Sequence, residues 1–124
     1  MFRILVVNKR YSAQIPITKL YYVGRPSGLG NPFQISREFS RKDAIKEFRR
    51  LLTKNLNNDL IGGVEDCLER LKHLQLLLNK ARIAKVQGEE IYLECWCAPK
   101  EGVTTSDLYI CHAQVIAEEI EKRL

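Results

Sequence analysis

Hydrophobic residues along the chain change period several times, and each period predicts a different element. Phe2-Arg-Ile-Leu-Val-Val7 is dense in aliphatic residues without a helical stripe, the signature of a short buried strand. Leu20-Tyr-Tyr-Val23 predicts a second strand. The polar stretch between them, Asn8 to Lys19 with Pro16 inside it, suits either a wide hairpin or an irregular excursion. Ser40-Arg-Lys-Asp43 has the spacing of a capping box, with Asp in place of the usual Glu or Gln. Behind it Ala44, Ile45, Phe48, Leu51, Leu52 and Leu56 form one apolar stripe, so a helix follows. Asn57 to Gly63 breaks it. Val64, Cys67, Leu68, Leu71, Leu74 and Leu78 then predict a second amphipathic helix to about Lys80 or slightly beyond. From Ile91 the pattern becomes alternation: Ile91, Leu93, Cys95 and Cys97 on one side, Tyr92, Glu94 and Trp96 on the other. This predicts a strand running to Cys97 with both cysteines on one face. Ala113, Ile116, Ala117, Ile120 and Leu124 mark a last helix, flanked by Glu118 and Glu119. The order is β-β-α-α-β-α, an α/β protein whose short sheet is covered by helices.

A length of 124 residues, with no internal repeat or long linker, fits a single small domain over 1–124. With 45% hydrophobic residues against 28% charged, the composition excludes intrinsic disorder. The N-terminal apolar run is interrupted by Arg3 and stops at Asn8, too short for a signal peptide or a membrane span. The expectation is a cytoplasmic protein with no membrane partner. In that compartment thiols stay reduced, so four cysteines argue for metal binding, catalysis or burial before disulfides. The net charge of +5 favours anionic partners, small nucleotide-like ligands or nucleic acid. Much of it lies in Arg37, Arg41, Lys42, Lys46, Arg49 and Arg50, a run without interleaved aromatics or a helix-turn-helix pattern, for which a solvated face is the commoner explanation.

Two segments could carry chemistry. In the first, Cys95-Trp-Cys-Ala-Pro99, thirteen residues separate Cys97 from the pair Cys111-His112. Cys95, Cys97, Cys111 and His112 supply the ligand count of a structural zinc site. The spacing argues against it: Cys-x-Cys on a strand separates the α-carbons by about 7 Å, and side chains of adjacent residues diverge. As nucleophilic or acid–base groups, Cys97, Cys111 and His112 form the candidate catalytic set, with Cys111 favoured if it opens the final helix. Simple burial is the competing explanation, strongest for Cys67 on its helix stripe. His73 lies off that stripe and reads as a surface residue. The intervening loop, with Thr104, Thr105, Ser106 and Asp107, is either a lid or a surface excursion.

In the second segment, Gly24-Arg-Pro-Ser-Gly-Leu-Gly-Asn-Pro-Phe33, glycines let backbone N–H groups approach an anion and Arg25 could clamp phosphate or carboxylate. Ser27, Gly30 and Asn31 complete the candidate binding set, with Asn8 nearby. The run matches neither dinucleotide nor phosphate-loop fingerprints, and a structural turn accounts for its glycines equally well. Loops leaving strand ends in α/β proteins gather at one edge, so the two segments are expected to share a pocket.

Val7-Asn8-Lys9-Arg10, the Gly24 to Phe33 run and Cys95-Trp-Cys-Ala-Pro99 with Cys111-His112 together resemble the signatures of a small uncharacterised domain family of bacteria and phages. Here a longer loop separates the cysteine motif from Cys-His, and the helical stretch around residues 60–80 is extended. The resemblance implies a shared pocket and carries no established activity. The expected function is a ligand-binding domain, with or without catalysis, for a nucleotide or nucleoside-like anion. The alternatives are a metal-stabilised nucleic-acid-binding module and a phage-type interaction protein that sequesters a host factor.

Overall fold

The computed structural model describes residues 2–124. Its sheet has three strands, β1 (Ile4–Asn8), β2 (Leu20–Tyr22) and β3 (Ile91–Cys95), in the order β1-β3-β2. The helices are α1 (Arg41–Leu56), α2 (Val64–Gln87) and α3 (His112–Arg123). This is the expected element order and an α/β fold.

Both outer strands run parallel to β3, with Ile4 opposite Ile91, Asn8 opposite Cys95, and Leu20 to Tyr22 opposite Tyr92 to Glu94. A hairpin between β1 and β2 is therefore ruled out, since parallel strands need a crossover. Residues 9–19 form that crossover, with short 3-10 turns at Lys9–Tyr11 and Ile17–Lys19. It explains a buried carboxylate in mid-strand: Glu94, on the opposite face from Leu93 and Cys95, accepts from Ser12 Oγ and pairs with Lys9 Nζ at 3.4 Å.

The helices close the other face. α3 packs on β1 and β3 and touches both α1 and α2, which is why every residue from His112 to Ala117 is buried. Ile4, Val6, Ile91, Leu93, Phe48, Leu52, Leu74, Leu77, Ile116 and Ile120 form the shared core. The capping box is present: Ser40 Oγ accepts from Asp43 N at 3.1 Å and Asp43 Oδ2 from Ser40 N at 3.2 Å. Asn55 and Arg70 close the α1–α2 turn. Arg70 donates to Asn55 Oδ1 at 2.7 Å, and Asn55 Nδ2 donates to the carbonyls of Asp59 and Ile61.

Two expectations are corrected. The α2 stripe is rotated: Cys67, Arg70, Leu74, Leu77, Leu78, Ala81 and Ala84 face inward, while Val64 and Leu68 are exposed. With leucines all round the helix, hydrophobic spacing alone could not choose the inner face. β3 ends at Cys95, two residues early, because β2 pairs only as far as Glu94 and the chain then turns. Among the described residues, no helix is long and apolar enough to cross a membrane.

Candidate functional site

Three parallel strands deliver their C-terminal connections to one edge of the sheet, the place where α/β folds usually bind ligands. The loop after β2 and the turn after β3 meet there with the first turns of α1 and α3. Together they enclose a cavity of about 120 Å³. Arg25 and Asn31 come from the loop, Arg41, Ala44 and Ile45 from α1, Trp96 and Cys97 from the turn, and Cys111 and His112 from α3. Cys95 lies at the base, with Phe33, Ile35 and Ile110 adding apolar wall. The two sequence segments thus line one cavity.

The three thiols form a chain through the base. Cys95 Sγ and Cys111 Sγ lie 2.8 Å apart, both buried, and Cys97, the third thiol of the cavity lining, is half-buried. The hydrogen bond from Cys111, backed by the charges of Arg41 and Arg25, holds Cys97 down at about 6 against the opposing effect of burial. Donation to its neighbours and burial push the Cys111 thiol strongly up. A single S–H cannot serve two sulfurs. With the charge on Cys97, beside the arginines, Cys111 donates to Cys97 and Cys95 donates to Cys111, so every proton has an acceptor. Were the Cys111 proton turned to Cys95 instead, that thiol would be the one lowered, but its place in the apolar core makes it the poorer site for a charge.

His112 plays another part. Its Nε2 meets the Val23 carbonyl at 2.7 Å, its ring stands edge-on to Phe48 with centroids 5.0 Å apart, and Nδ1 lies 3.9 Å from Cys111 Sγ. Burial lowers its affinity for a proton, so near neutral pH it is a neutral imidazole donating through Nε2. It ties the end of β2 to α3 and backs Cys111 rather than facing Cys97.

The polar loop residues mostly build the frame. Asn8 Nδ2 donates to the carbonyls of Ala98 at 2.7 Å and Trp96 at 3.2 Å, clamping the turn that carries Cys97 from outside the cavity. Asn31 anchors the glycine-rich loop to α1, donating to the Ala44 carbonyl at 3.1 Å and accepting from Phe33 N at 2.9 Å. Ser27 does not line the cavity; its Oγ is buried without a protein partner, while its backbone joins two successive turns, to Gly24 and from Gly30. At Gly30 a Cβ would stand 3.0 Å from the Arg25 backbone, and at Gly24 2.5 Å from the Tyr22 hydroxyl, which bonds the Arg25 carbonyl. Glycine at both lets the loop fold tightly under Arg25, which stays exposed at the rim.

The loop from Cys97 to Cys111 is fastened down. Val103 pairs with Val6 through hydrogen bonds of 2.8 and 2.9 Å, covering the free edge of β1. Fully buried Gln114 accepts from Ile110 N at 2.7 Å and Cys111 N at 3.0 Å, and donates to the carbonyls of Thr104 and Leu108 at 3.0 and 3.2 Å.

Arg41, read in the sequence as part of a surface patch, belongs to the cavity and reaches the carbonyls of Cys97 and Ile110 at 3.4 and 3.5 Å. Its position just after the cap of the helix that follows β2 was the available signal. The rest of the basic run is partly paired, Arg49 with Glu118 and Arg50 with Glu47. Among the described residues, no set of three or more His, Cys, Asp or Glu side chains is arranged to hold a metal ion.

No curated protein and no solved structure matches the chain. A family model does, over residues 7–122, a span that takes in the last two residues of β1, all of β2 and β3, the glycine-rich loop, the cysteine turn and Cys111-His112. The chain belongs to the family described as a domain of unknown function, DUF4326.

Proposed function

We propose that this domain binds a small nucleotide or nucleoside-like anion at the edge of its sheet and acts on it through the Cys97 thiolate. The observation that carries this reading is the half-buried Cys97 thiol lining a cavity whose charged side chains are Arg25 and Arg41, a setting that favours its thiolate. An anion is drawn to the arginines, and a thiolate is the nucleophilic form of cysteine. Without the arginines, a buried thiol in an apolar wall would be inert.

The cavity's size narrows the ligand. At about 120 Å³ it is well below the roughly 300 Å³ at which whole-ligand pockets begin. It suits a phosphate- or sugar-sized fragment, with the remainder lying over exposed Trp96 and Ile35, where an aromatic face can stack a base. The reading goes with a reducing compartment such as the cytoplasm, where the thiolate persists. His112 and Asn8 serve as positioning residues.

The test is a binding titration of the native protein with nucleoside monophosphates, the corresponding nucleosides and inorganic phosphate, followed by mass spectrometry of Cys97. Saturable binding by the monophosphates, weaker for nucleosides and lost on alkylation of Cys97, is expected. No saturable binding by any of the three classes would overturn the reading.

A further inference from the structure

Cys95 and Cys111 stand at the two ends of one connection, Cys95 as the last residue of β3 and Cys111 as the cap of α3. Both ends are fixed. β3 is paired along both edges, and the Val6–Val103 pair and Gln114 pin the chain between the two cysteines. Their sulfurs lie 2.8 Å apart, so closing them to the roughly 2.0 Å of a disulfide asks for a movement of less than about 1 Å. Each residue is only 1% exposed, and the pair by itself is out of reach of an oxidant in solution.

Cys97 supplies the access. It is half-buried and lines the same cavity as Cys95 and Cys111, beside Arg25 and Arg41. An accessible thiolate next to a resolving thiol is the arrangement that separates a redox-sensing cysteine from an inert one. The cavity also selects the oxidant. At about 120 Å³ it admits hydrogen peroxide, since one water occupies roughly 30 Å³, and it is too small for a peptide disulfide to enter.

We propose that Cys97, Cys111 and Cys95 form a relay that reduces a small hydroperoxide and stores the oxidation as a Cys95–Cys111 disulfide. The Cys97 thiolate attacks one peroxide oxygen, the O–O bond breaks, and hydroxide leaves a sulfenic acid on Cys97. Cys111 attacks that sulfur, the S–O bond breaks, and water departs with the Cys111 proton. Cys95 then attacks Cys111 Sγ, displacing Cys97 as thiolate and releasing a proton that neutralises the hydroxide. Two thiols and one hydrogen peroxide thus become one disulfide and two waters. The exchange ends there because the most acidic thiol is the best leaving group. The relay shares with the proposed function only the Cys97 thiolate and needs no nucleotide.

The test treats the fully reduced chain with a small excess of hydrogen peroxide, alkylates it under denaturing conditions and maps the cysteines by mass spectrometry. Chymotryptic cleavage after Trp96 separates Cys95 from Cys97. A Cys95–Cys111 bridge is expected, with Cys67 and Cys97 alkylated and the bridge opened by dithiothreitol. Cys97→Ser should slow its formation by roughly tenfold or more, since neither remaining sulfur is an accessible thiolate. Cys97 oxidised to sulfinic acid with Cys95 and Cys111 still reduced would overturn the proposal, as would four free thiols after treatment or a bridge that forms at the same rate in Cys97→Ser. Nucleotide binding is titrated on the same reduced protein. A failed relay with binding intact condemns this inference alone, and a bridge without binding condemns only the nucleotide reading.

Discussion

A cysteine ionises near neutral pH when its sulfur accepts a hydrogen bond and positive charge lies close, and Cys97 has both. Arg25 supplies part of that charge from the rim, free to meet a ligand. Arg25→Ala should weaken binding of a nucleoside monophosphate by roughly 1.5–3 kcal/mol, the range for a charge-assisted hydrogen bond, with thermal stability little changed. Lysine should restore only part of the loss, because a point charge replaces the planar fork; isothermal titration of the three proteins measures both effects. Asn8 acts at a distance through the two carbonyls it clamps. Asn8→Ala should cost about 1–2 kcal/mol in chemical denaturation and slow alkylation of Cys97, whereas Asn8→Asp, which keeps only acceptors facing two carbonyl oxygens, should do no better.

Among the elements, the long connection from β3 to α3 decides the geometry of the thiols, and Gln114 makes four of the hydrogen bonds that hold it. Gln114→Ala removes four hydrogen bonds and strands buried backbone groups, so denaturant unfolding should show a loss of about 3 kcal/mol or more, while Lys122→Ala at the surface of the same helix, whose partners are glutamates of its own helix, should be nearly neutral. This control was invisible in the sequence, where Gln114 is one polar residue beside an apolar stripe. Local patterns did disclose the strand cores, the α1 cap and the turn at Asn57 to Gly63, because each rests on contacts close in sequence. They left open which strands pair, since parallel pairing of β1 and β2 to β3 depends on residues more than seventy positions apart. The meeting of Arg25 with Cys97 and His112 was readable from the edge rule for α/β sheets. The clamping parts of Asn8 and Gln114 were not, because each acts through contacts that exist only once the sheet is formed.

For the molecule as a whole, the site couples stability to pH. Cys97, lowered in the folded state to about 6, adds stability that is complete above its unfolded value of about 8.5 and is lost as pH falls toward 6. His112, lowered by burial, acts in the same direction below about 6.5, where the unfolded chain takes up a proton that the folded chain resists. Cys111, pushed up, works the other way above about 8.5, where the unfolded thiol loses the proton that the folded one keeps. The unfolding free energy should therefore rise through the acid range to a maximum near pH 8 and decline beyond it, and Cys97→Ser should flatten the rise. The most direct examination of the site is the rate at which a neutral alkylating reagent modifies Cys97, followed by peptide mass spectrometry across pH. A midpoint near 6 that moves up in Arg41→Ala is expected. A midpoint at the ordinary thiol value, unmoved by that substitution, would contradict it.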